Sequence, residues 1–405
     1  MSNESRAVLN GVRVLDFGRY VAGPYCATLL GYLGADVIRI EKREGSEDRY
    51  IAPVCQGGEG GVFFQTACNK RSLTLDPASP DGREVARRLV ATADVVVANL
   101  PAASLAALGL DYPTLSGLNP RIILASQSAF GESGPYARRG GFDGVGQAMS
   151  GALFITGTPG HPAKAAAPYV DYSTAVLSAF GVMAALMERS QSGRGQHVQA
   201  ALQATALAIF GSHLIEQGVA QLDRVGTGNR VQTSAPSDVF ATRDGHVLVH
   251  VVGNGLFRRW VRLVCAGSTS EEAGWLDDAR FASDASRGEH SGEILARMRE
   301  WCAERTTEVA LAAIEAAGLP CGPVYTPQQA LDDPQAAAMR WFHEIDDFPG
   351  LPRPAPVPDI PLRFSRSAAG ISRRPPTLGE HTDSILAELG YPQADITRLR
   401  ATGAI

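Results

Sequence analysis

The chain has 405 residues, of which 45% are hydrophobic and 20% are charged. This composition is typical of a soluble globular protein, and the length suggests two domains. The net charge is −5 and the lysines and arginines are dispersed, which argues against nucleic acid or an anionic membrane as a partner. We therefore expect small molecules as partners.

Cysteine and histidine spacing gives no sign of a metal centre. The six cysteines are scattered without a CxxC pair, and the eight histidines show no HExxH motif. The N-terminal stretch "MSNESRAVLNG" lacks the apolar core of a signal peptide, and the apolar runs are short for a membrane span. We expect a cytoplasmic protein without a bound metal.

The first part of the chain alternates predicted strands and helices. A helix over 23–34 begins near a proline and ends at a glycine, and a second helix opens at Ser79-Pro80-Asp81 with a capping serine. The predicted strands cover residues 12–17, 35–41, 71–76, 94–100 and 121–130. This alternation predicts an α/β fold with a doubly wound, mainly parallel sheet.

The remainder of the chain predicts a smaller α+β domain and a returning segment. The predicted elements are helices over 173–189 and about 197–217, a hairpin over 238–252, helices over about 255–317, an extended proline-rich segment over 348–362 and a last helix over 383–390. A Gly/Pro/Ser-rich passage over 226–238 is typical of a crossing between domains. We therefore expect a large domain of residues 1–225, a small domain of residues 226–329, and residues 330–405 returning to the large domain.

Asp171 is the only charged side chain between Lys164 and Glu188. A carboxylate in such apolar surroundings is costly to desolvate. One interpretation is a helix N-cap whose oxygen accepts the N–H of Ser173 or Thr174. The other is a nucleophile, which needs one free oxygen and little competing water. The two interpretations are compatible, because a capping carboxylate has a second oxygen.

Several segments, taken together and in order, resemble the family III CoA-transferases, also called the formyl-CoA transferase, carnitine CoA-transferase and acyl-CoA racemase family. The resemblance covers nearly the full length. The matching segments are "LNGVRVLDFGRYVAGPYCATLLGYLGADVIRIEK" (9–42), "NKRSLTLD" (69–76), "ADVVVANL" (93–100), "LNPRIILAS" (118–126), "SGRGQHV" (192–198), "GLPCGPV" (318–324) and "PTLGEHTDSILAELG" (376–390).

The resemblance implies a fold and a mechanism. It implies a large doubly wound domain built from both chain ends, a smaller domain between them, and a homodimer of two interlocked subunits. Asp171 matches the family's nucleophile, so the implied reaction passes through an acyl anhydride and an aspartyl-CoA thioester on this residue. Coenzyme A and acyl-CoA are then substrates, and no permanently bound cofactor is implied.

The resemblance also implies which residues bind CoA. Lys42 would lie near the nucleotide phosphates, and Leu75, Asn99 and Leu100 would follow the adenine and pantetheine path. Without the family, Lys42 reads equally well as a solvated charge at a strand end. A family arginine is replaced by Ala107, so we expect a substitute phosphate contact, for which the candidates are Arg43, Arg138 and Arg139.

Three substitutions in the expected substrate pocket bear on the reaction. The formyl-CoA transferases have a glutamine where this chain has Val21 and a tyrosine–glutamate pair where it has Phe142 and Asp143. We therefore expect a CoA-transferase whose acceptor is a larger or more apolar carboxylic acid. The alternatives are an acyl-CoA racemase or epimerase of the same fold, which is disfavoured because the family's racemases have a histidine at the position of Phe142, and a non-catalytic CoA-binding protein.

Overall fold

The structure is a computed structural model that describes residues 7–266 and 268–405. The chain divides into two compact units. Of the described residues, the first unit contains 7–152 together with Ala165–Gln221 and Pro334–Ile405, and the second contains Leu153–Lys164 and 222–333 without 267. Residues 153–164, which the sequence analysis placed in the large domain, thus lie in the second unit.

Among the described residues of the first unit, six strands form one parallel sheet. The strands are β1 (Arg13–Asp16), β2 (Asp36–Glu41), β3 (Lys70–Thr74), β4 (Val95–Ala98), β5 (Ile123–Ser128) and β6 (His197–Ala201). Their spatial order is β3-β2-β1-β4-β5-β6, and every neighbouring pair is parallel. The predicted parallel α/β sheet is confirmed, with a switch in strand order between β1 and β4.

The prediction of one helix over about 197–217 is wrong at its start. Residues His197–Ala201 instead pair with β5, with Leu124 opposite His197 and Ser128 opposite Ala201. Hydrogen bonding to an existing strand overrides the helical preference of this alanine-rich stretch, because strand formation depends strongly on tertiary context. Two helices follow, from Leu202 to Ile209 and from Gly211 to Ala220.

The helices up to residue 220 belong to the first unit, apart from α7, of which all but Ala152 lies in the second unit. They are α1 (Ala22–Tyr32), α2 (Gly61–Ala67), α3 (Pro80–Thr92), α4 (Ala102–Leu108), α5 (Tyr112–Leu118), α6 (Asp143–Met149), α7 (Ala152–Thr156), α8 (Tyr169–Ser192), α9 (Leu202–Ile209) and α10 (Gly211–Ala220), and a short 3₁₀ helix covers Glu47–Tyr50. The predicted cap of α3 is confirmed, since the Ser79 side chain accepts the backbone N–H of Gly82 at 3.0 Å.

Successive side chains of the strands point to opposite faces of the sheet and build two cores. Val14 and Val95 lie in the core that also contains residues of α1 and α8. Leu15 and Val96 lie in the other core, with residues of α3 and of two C-terminal helices, α18 (Thr382–Glu388) and α19 (Gln393–Ala401). Both ends of the chain therefore contribute to one folded unit.

Two features of the first unit differ from simple sequence expectations. The proline-rich segment contains β11 (Ala355–Pro358), which pairs antiparallel with β10 (Phe342–Ile345). Helix α19 was not predicted at all. Helix α8 is long and apolar enough to cross a membrane by length and composition, but buried helices of soluble proteins pass the same test, and α8 contributes to a core of the sheet.

The second unit has its own sheet and core. Its strands β7 (Ser237–Ala241), β8 (His246–His250) and β9 (Cys321–Pro323) form an antiparallel sheet, and the predicted hairpin at Asp244-Gly245 is confirmed. The fully buried Trp260 packs in its core with Trp301. The helices of this part of the chain are α11 (Asn254–Cys265), α12 (Thr269–Leu276), α13 (Asp284–Glu289), α14 (Ser291–Ala303), α15 (Thr307–Ala316) and α16 (Pro327–Leu331), with a 3₁₀ helix at Ala279–Phe281; α17 (Pro334–Met339) begins the return to the first unit.

Candidate active site

A cavity of about 490 Å³ lies at the carboxyl ends of β1, β4 and β5. This is the edge of the sheet beside the switch in strand order, where open α/β sheets commonly bind ligands. Its wall is formed by the loop after β1 (19–22), the loop after β4 (99–101), the end of β5 (127–129), residues 140–142 with Val145, and the side chains of Asp171 and Leu202.

The loop after β1 is held from below by a buried ion pair. Asp16 and Lys70 are fully buried, and Lys70 Nζ donates to Asp16 Oδ2 and to the backbone oxygen of Pro24, each at 2.7 Å. The other oxygen of Asp16 accepts the N–H of Gly18 at 2.8 Å. The ion pair thus fixes both the loop and the start of α1.

Asn99 holds the same loop from the side. Its Oδ1 accepts the backbone N–H of Arg19 and its Nδ2 donates to the backbone oxygen of Arg19, both at 2.7 Å. The approach is close at Gly23, where a Cβ atom would lie 2.9 Å from Asn99 Oδ1. A side chain at position 23 would therefore disrupt the two hydrogen bonds between Asn99 and the backbone of Arg19.

Asp171 lies in the first turn of α8, and its interpretation as the N-cap is wrong. The helix begins at Tyr169 after Pro168, and no side chain at the cap position makes a hydrogen bond. The capping group instead comes from α6, because Asp143 Oδ1 accepts the N–H groups of Val170 at 2.7 Å and Asp171 at 3.2 Å. Within the described chain neither carboxylate oxygen of Asp171 has a hydrogen-bond partner.

Both oxygens of Asp143 are occupied by protein groups. Its Oδ2 accepts Gln147 Nε2 at 2.5 Å, and Gln147 Oε1 in turn accepts the N–H of Ala165 at 3.0 Å. Asp143 is buried and is not part of the cavity wall. This differs from the sequence-based expectation, which placed Asp143 in the substrate pocket.

The surroundings of Asp171 disfavour its charge. Burial and, to a lesser extent, the negative charge of Asp143 raise the pKa of Asp171 to about 7. Its relative exposure is 8%, so the side chain borders the cavity but has little access to bulk water. The side chain is therefore only partly ionised near neutral pH, and its carboxylate form has free oxygens in a mostly apolar cavity, which is the condition of a potential nucleophile.

Residues 9–382 match the model of CoA-transferase family III. The chain belongs to this family. Succinate–glutarate CoA-transferase of Agrobacterium fabrum is 34% identical over 94% of this chain and 95% of its own length. Formyl-CoA:oxalate CoA-transferase of Rhodopseudomonas palustris is 32% identical over 98% of this chain and 97% of its own length. A crystal structure of a CAIB/BAIF family protein from Brucella suis superposes with a TM-score of 0.82 at 31% identity, covering 95% of this chain and 100% of that one.

As a family III CoA-transferase, the protein acts on CoA thioesters as substrates. Four of the residues expected near substrate or CoA line the cavity together with Asp171, namely Val21, Asn99, Leu100 and Phe142. Phe142 is 61% exposed, and its ring meets that of Tyr20 edge-on with centroids 5.3 Å apart. The side chain of Asn99, however, is engaged with the backbone of Arg19.

The other expected CoA contacts lie outside the cavity wall. Lys42 is exposed and its ammonium group pairs with Glu47, while Leu75 is 1% exposed and packs in a core of the sheet. Leu75 therefore presents its side chain to the protein interior. Arg43, Arg138 and Arg139 are exposed, and the guanidinium of Arg139 lies 4.0 Å from the ring centroid of Tyr136.

Sequence reasoning missed several residues of the site, among them four with polar side chains. Arg19 and Tyr20 line the cavity, as does Gln127, and Gln147 anchors Asp143. Arg19 and Tyr20 could have been found from their position directly after a strand next to the switch point. Gln147 lies four residues after Asp143 on one helix face, which is also a readable signal. In the described residues, no group of three or more His, Cys, Asp or Glu side chains could hold a metal ion.

Proposed function

We propose that the protein transfers CoA from an acyl-CoA donor to a free carboxylic acid through covalent intermediates on Asp171. The observation that carries this proposal is that the start of α8 is capped by Asp143 and not by Asp171. Asp143 accepts the backbone N–H groups there, so Asp171 keeps both oxygens available to the cavity. A non-catalytic role as a helix cap is not supported by this geometry.

The reaction consumes one thioester and makes one. An oxygen of Asp171 attacks the thioester carbonyl carbon, the C–S bond breaks, and an acyl-aspartyl anhydride and CoA thiolate result. The thiolate attacks the aspartyl carbonyl, which releases the donor acid and leaves an aspartyl-CoA thioester. The acceptor carboxylate then repeats these steps in reverse and regenerates Asp171. The covalent route divides one difficult exchange into easier steps.

The cavity supports a carboxylic acid larger than formate or oxalate as acceptor. Much of the cavity wall is apolar, with side chains from Val21, Leu100, Phe142, Val145 and Leu202. Because relatives are named for succinate and glutarate exchange, succinyl-CoA is a reasonable first donor to assay. The described residues that line the cavity include no histidine, which favours CoA transfer over racemisation, since racemisation needs opposed acid–base groups.

We also propose that the active form is a homodimer with interlocked subunits. Apolar side chains on α8 and α10 are largely exposed in the single chain: Phe180 at 72%, Met187 at 68%, Ile215 at 69% and Val219 at 83%. Soluble proteins rarely expose large apolar side chains in groups unless a partner covers them. A second copy of the chain on this surface would remove them from water.

Trapping of the intermediate tests the role of Asp171. Incubation with acyl-CoA and hydroxylamine should convert Asp171 to its hydroxamate, detectable by peptide mass spectrometry. Asp171→Asn should abolish exchange while the far-UV circular dichroism spectrum is retained, and Asp395→Asn on the surface of α19 is the matched control with full activity. Modification at a carboxylate other than Asp171, or exchange by Asp171→Asn, would contradict the proposal.

A further inference from the structure

Gln127 is a buried amide whose hydrogen-bonding capacity is unused. It lies near the end of β5 in the wall of the cavity and is 2% exposed. Neither its Oε1 nor its Nε2 has a hydrogen-bond partner among the described residues. The register pairs Ala98 with Ser126, which puts Gln127 beside Asn99 at the ends of neighbouring strands. The contrast is clear, because the Asn99 amide is fully engaged with Arg19.

An orphaned buried amide needs an explanation, since nearly all buried polar groups in native proteins are hydrogen-bonded. The nearby cavity wall offers mainly apolar side chains, among them Leu100, Val145 and Leu202. Since Gln127 lines the cavity, a bound substrate is the candidate partner for its amide. A glutamine here also has no packing advantage over leucine or methionine, which would fill the same space without a desolvation cost.

The two free atoms indicate the chemistry of that partner. The amide presents one acceptor, Oε1, and one donor group, Nε2, side by side. A hydroxyl group can accept from Nε2 and donate to Oε1, whereas an ionised carboxylate can only accept and would be repelled by Oε1. An unsubstituted alkyl chain satisfies neither atom. The pair thus matches a group that both donates and accepts, of which a hydroxyl group is the smallest that an acyl chain can carry.

On this basis, and resting on the proposed CoA transfer at Asp171, we propose that Gln127 is a specificity-determining residue that binds a hydroxyl group on the acyl chain of the substrate. The enzyme then selects hydroxyacyl groups over unsubstituted acyl groups of the same length. Discrimination arises because an acyl chain without the hydroxyl leaves the buried amide unpaired.

Two donors that differ by one hydroxyl group test the proposal. The kcat/KM values for 3-hydroxybutyryl-CoA and butyryl-CoA are compared with one common acceptor. We expect the unsubstituted enzyme to prefer the hydroxyacyl donor by about tenfold or more. In Gln127→Met this preference should fall to near unity, mainly through loss of activity with the hydroxyacyl donor. Gln393→Met, on the exposed start of α19, is the control that should keep the preference.

Two further measurements keep the result interpretable. Binding of both thioesters to Asp171→Asn, with and without Gln127→Met, gives the same comparison without turnover, so absence of exchange would count against the proposed function alone. In the ligand-free protein, Gln127→Met should raise the melting temperature, because two unsatisfied polar atoms are removed. A preference unchanged by Gln127→Met, or a lower melting temperature of that variant, would overturn the assignment of Gln127.

Discussion

Two carboxylates at the start of α8 have different tasks because their surroundings differ. Asp143 accepts three N–H groups, from the backbone of Val170 and Asp171 and from the side chain of Gln147. Asp171 receives none from the described residues and lies in a cavity with an apolar wall. The first carboxylate therefore positions the helix, and the second remains available for chemistry.

The raised pKa of Asp171 predicts the pH dependence of exchange. Only the carboxylate form can act as the nucleophile, and burial together with the Asp143 charge raises its pKa to about 7. The kcat/KM of the enzyme should therefore rise with pH through an acid limb near pH 7, since this limb reports the free enzyme. A pH profile that stays flat down to pH 5 would contradict Asp171 as the titrating group.

Removal of the neighbouring charge should move that limb. In Asp143→Asn the amide oxygen can still accept the N–H groups at the start of α8, but the negative charge that raises the pKa of Asp171 is absent. We expect the acid limb of kcat/KM to shift to lower pH. Asp395→Asn on α19 is the matched control and should leave the limb in place. A shift to higher pH would show that the charge of Asp143 does not act in this way.

At the scale of elements, the loop after β1 depends on a buried ion pair beneath it. Lys70→Met would leave the Asp16 carboxylate buried without its cation, at an expected cost of about 3–5 kcal/mol in the free energy of unfolding. Urea denaturation measures this cost. Lys42→Met removes the cation of an exposed pair with Glu47 and should leave the free energy of unfolding nearly unchanged. Equal effects of the two substitutions would refute the structural role of Lys70.

The elements that could be predicted are those with a local signal. Strands β1, β2, β4 and β5 each contain consecutive buried apolar residues, and the cap of α3 is formed by Ser79 within the same turn. Strand β6 could not be predicted, because its partner β5 lies about 70 residues away in the chain and its own sequence is alanine-rich. The prediction of the cap of α8 was wrong for the same reason. The capping carboxylate belongs to Asp143, which precedes Asp171 by 28 residues.

Candidate site residues also differ in whether the local sequence marks them. Asp171 stood out as a lone charge in an apolar sequence, and its matching position in the family pointed to its chemistry. Nothing in the sequence marks Gln127 as a site residue. Its amide is notable only because it is buried without a hydrogen-bond partner among the described residues, and this can be seen only in the folded structure. Leu75 was expected near CoA, but its side chain is part of the core. The sequence places Leu75 at the end of a strand but does not show toward which face of the sheet its side chain points.

At the scale of the whole molecule, the exposed apolar side chains of α8 and α10 are the strongest indication of a partner. Phe180 and Val219 are among the most exposed large apolar side chains of the described residues. A homodimer of ordinary side-by-side subunits could bury them, and so could an interlocked one. The two arrangements differ in how they come apart, because interlocked chains must unfold or thread through each other before they separate.

Subunit exchange distinguishes these arrangements. Tagged and untagged dimers are mixed at equal concentration, and hybrids are followed by native mass spectrometry. For interlocked subunits we expect no hybrid over days under native conditions, and hybrids at the statistical ratio only after denaturation and refolding of the mixture, since separation is then coupled to unfolding.

Phe180→Ala is a useful companion variant. In a side-by-side dimer the loss of this apolar contact should accelerate exchange, because dissociation becomes easier. In an interlocked dimer exchange stays limited by global unfolding, so this variant should also form no hybrid under native conditions. Rapid hybrid formation by the unsubstituted protein would rule out interlocking.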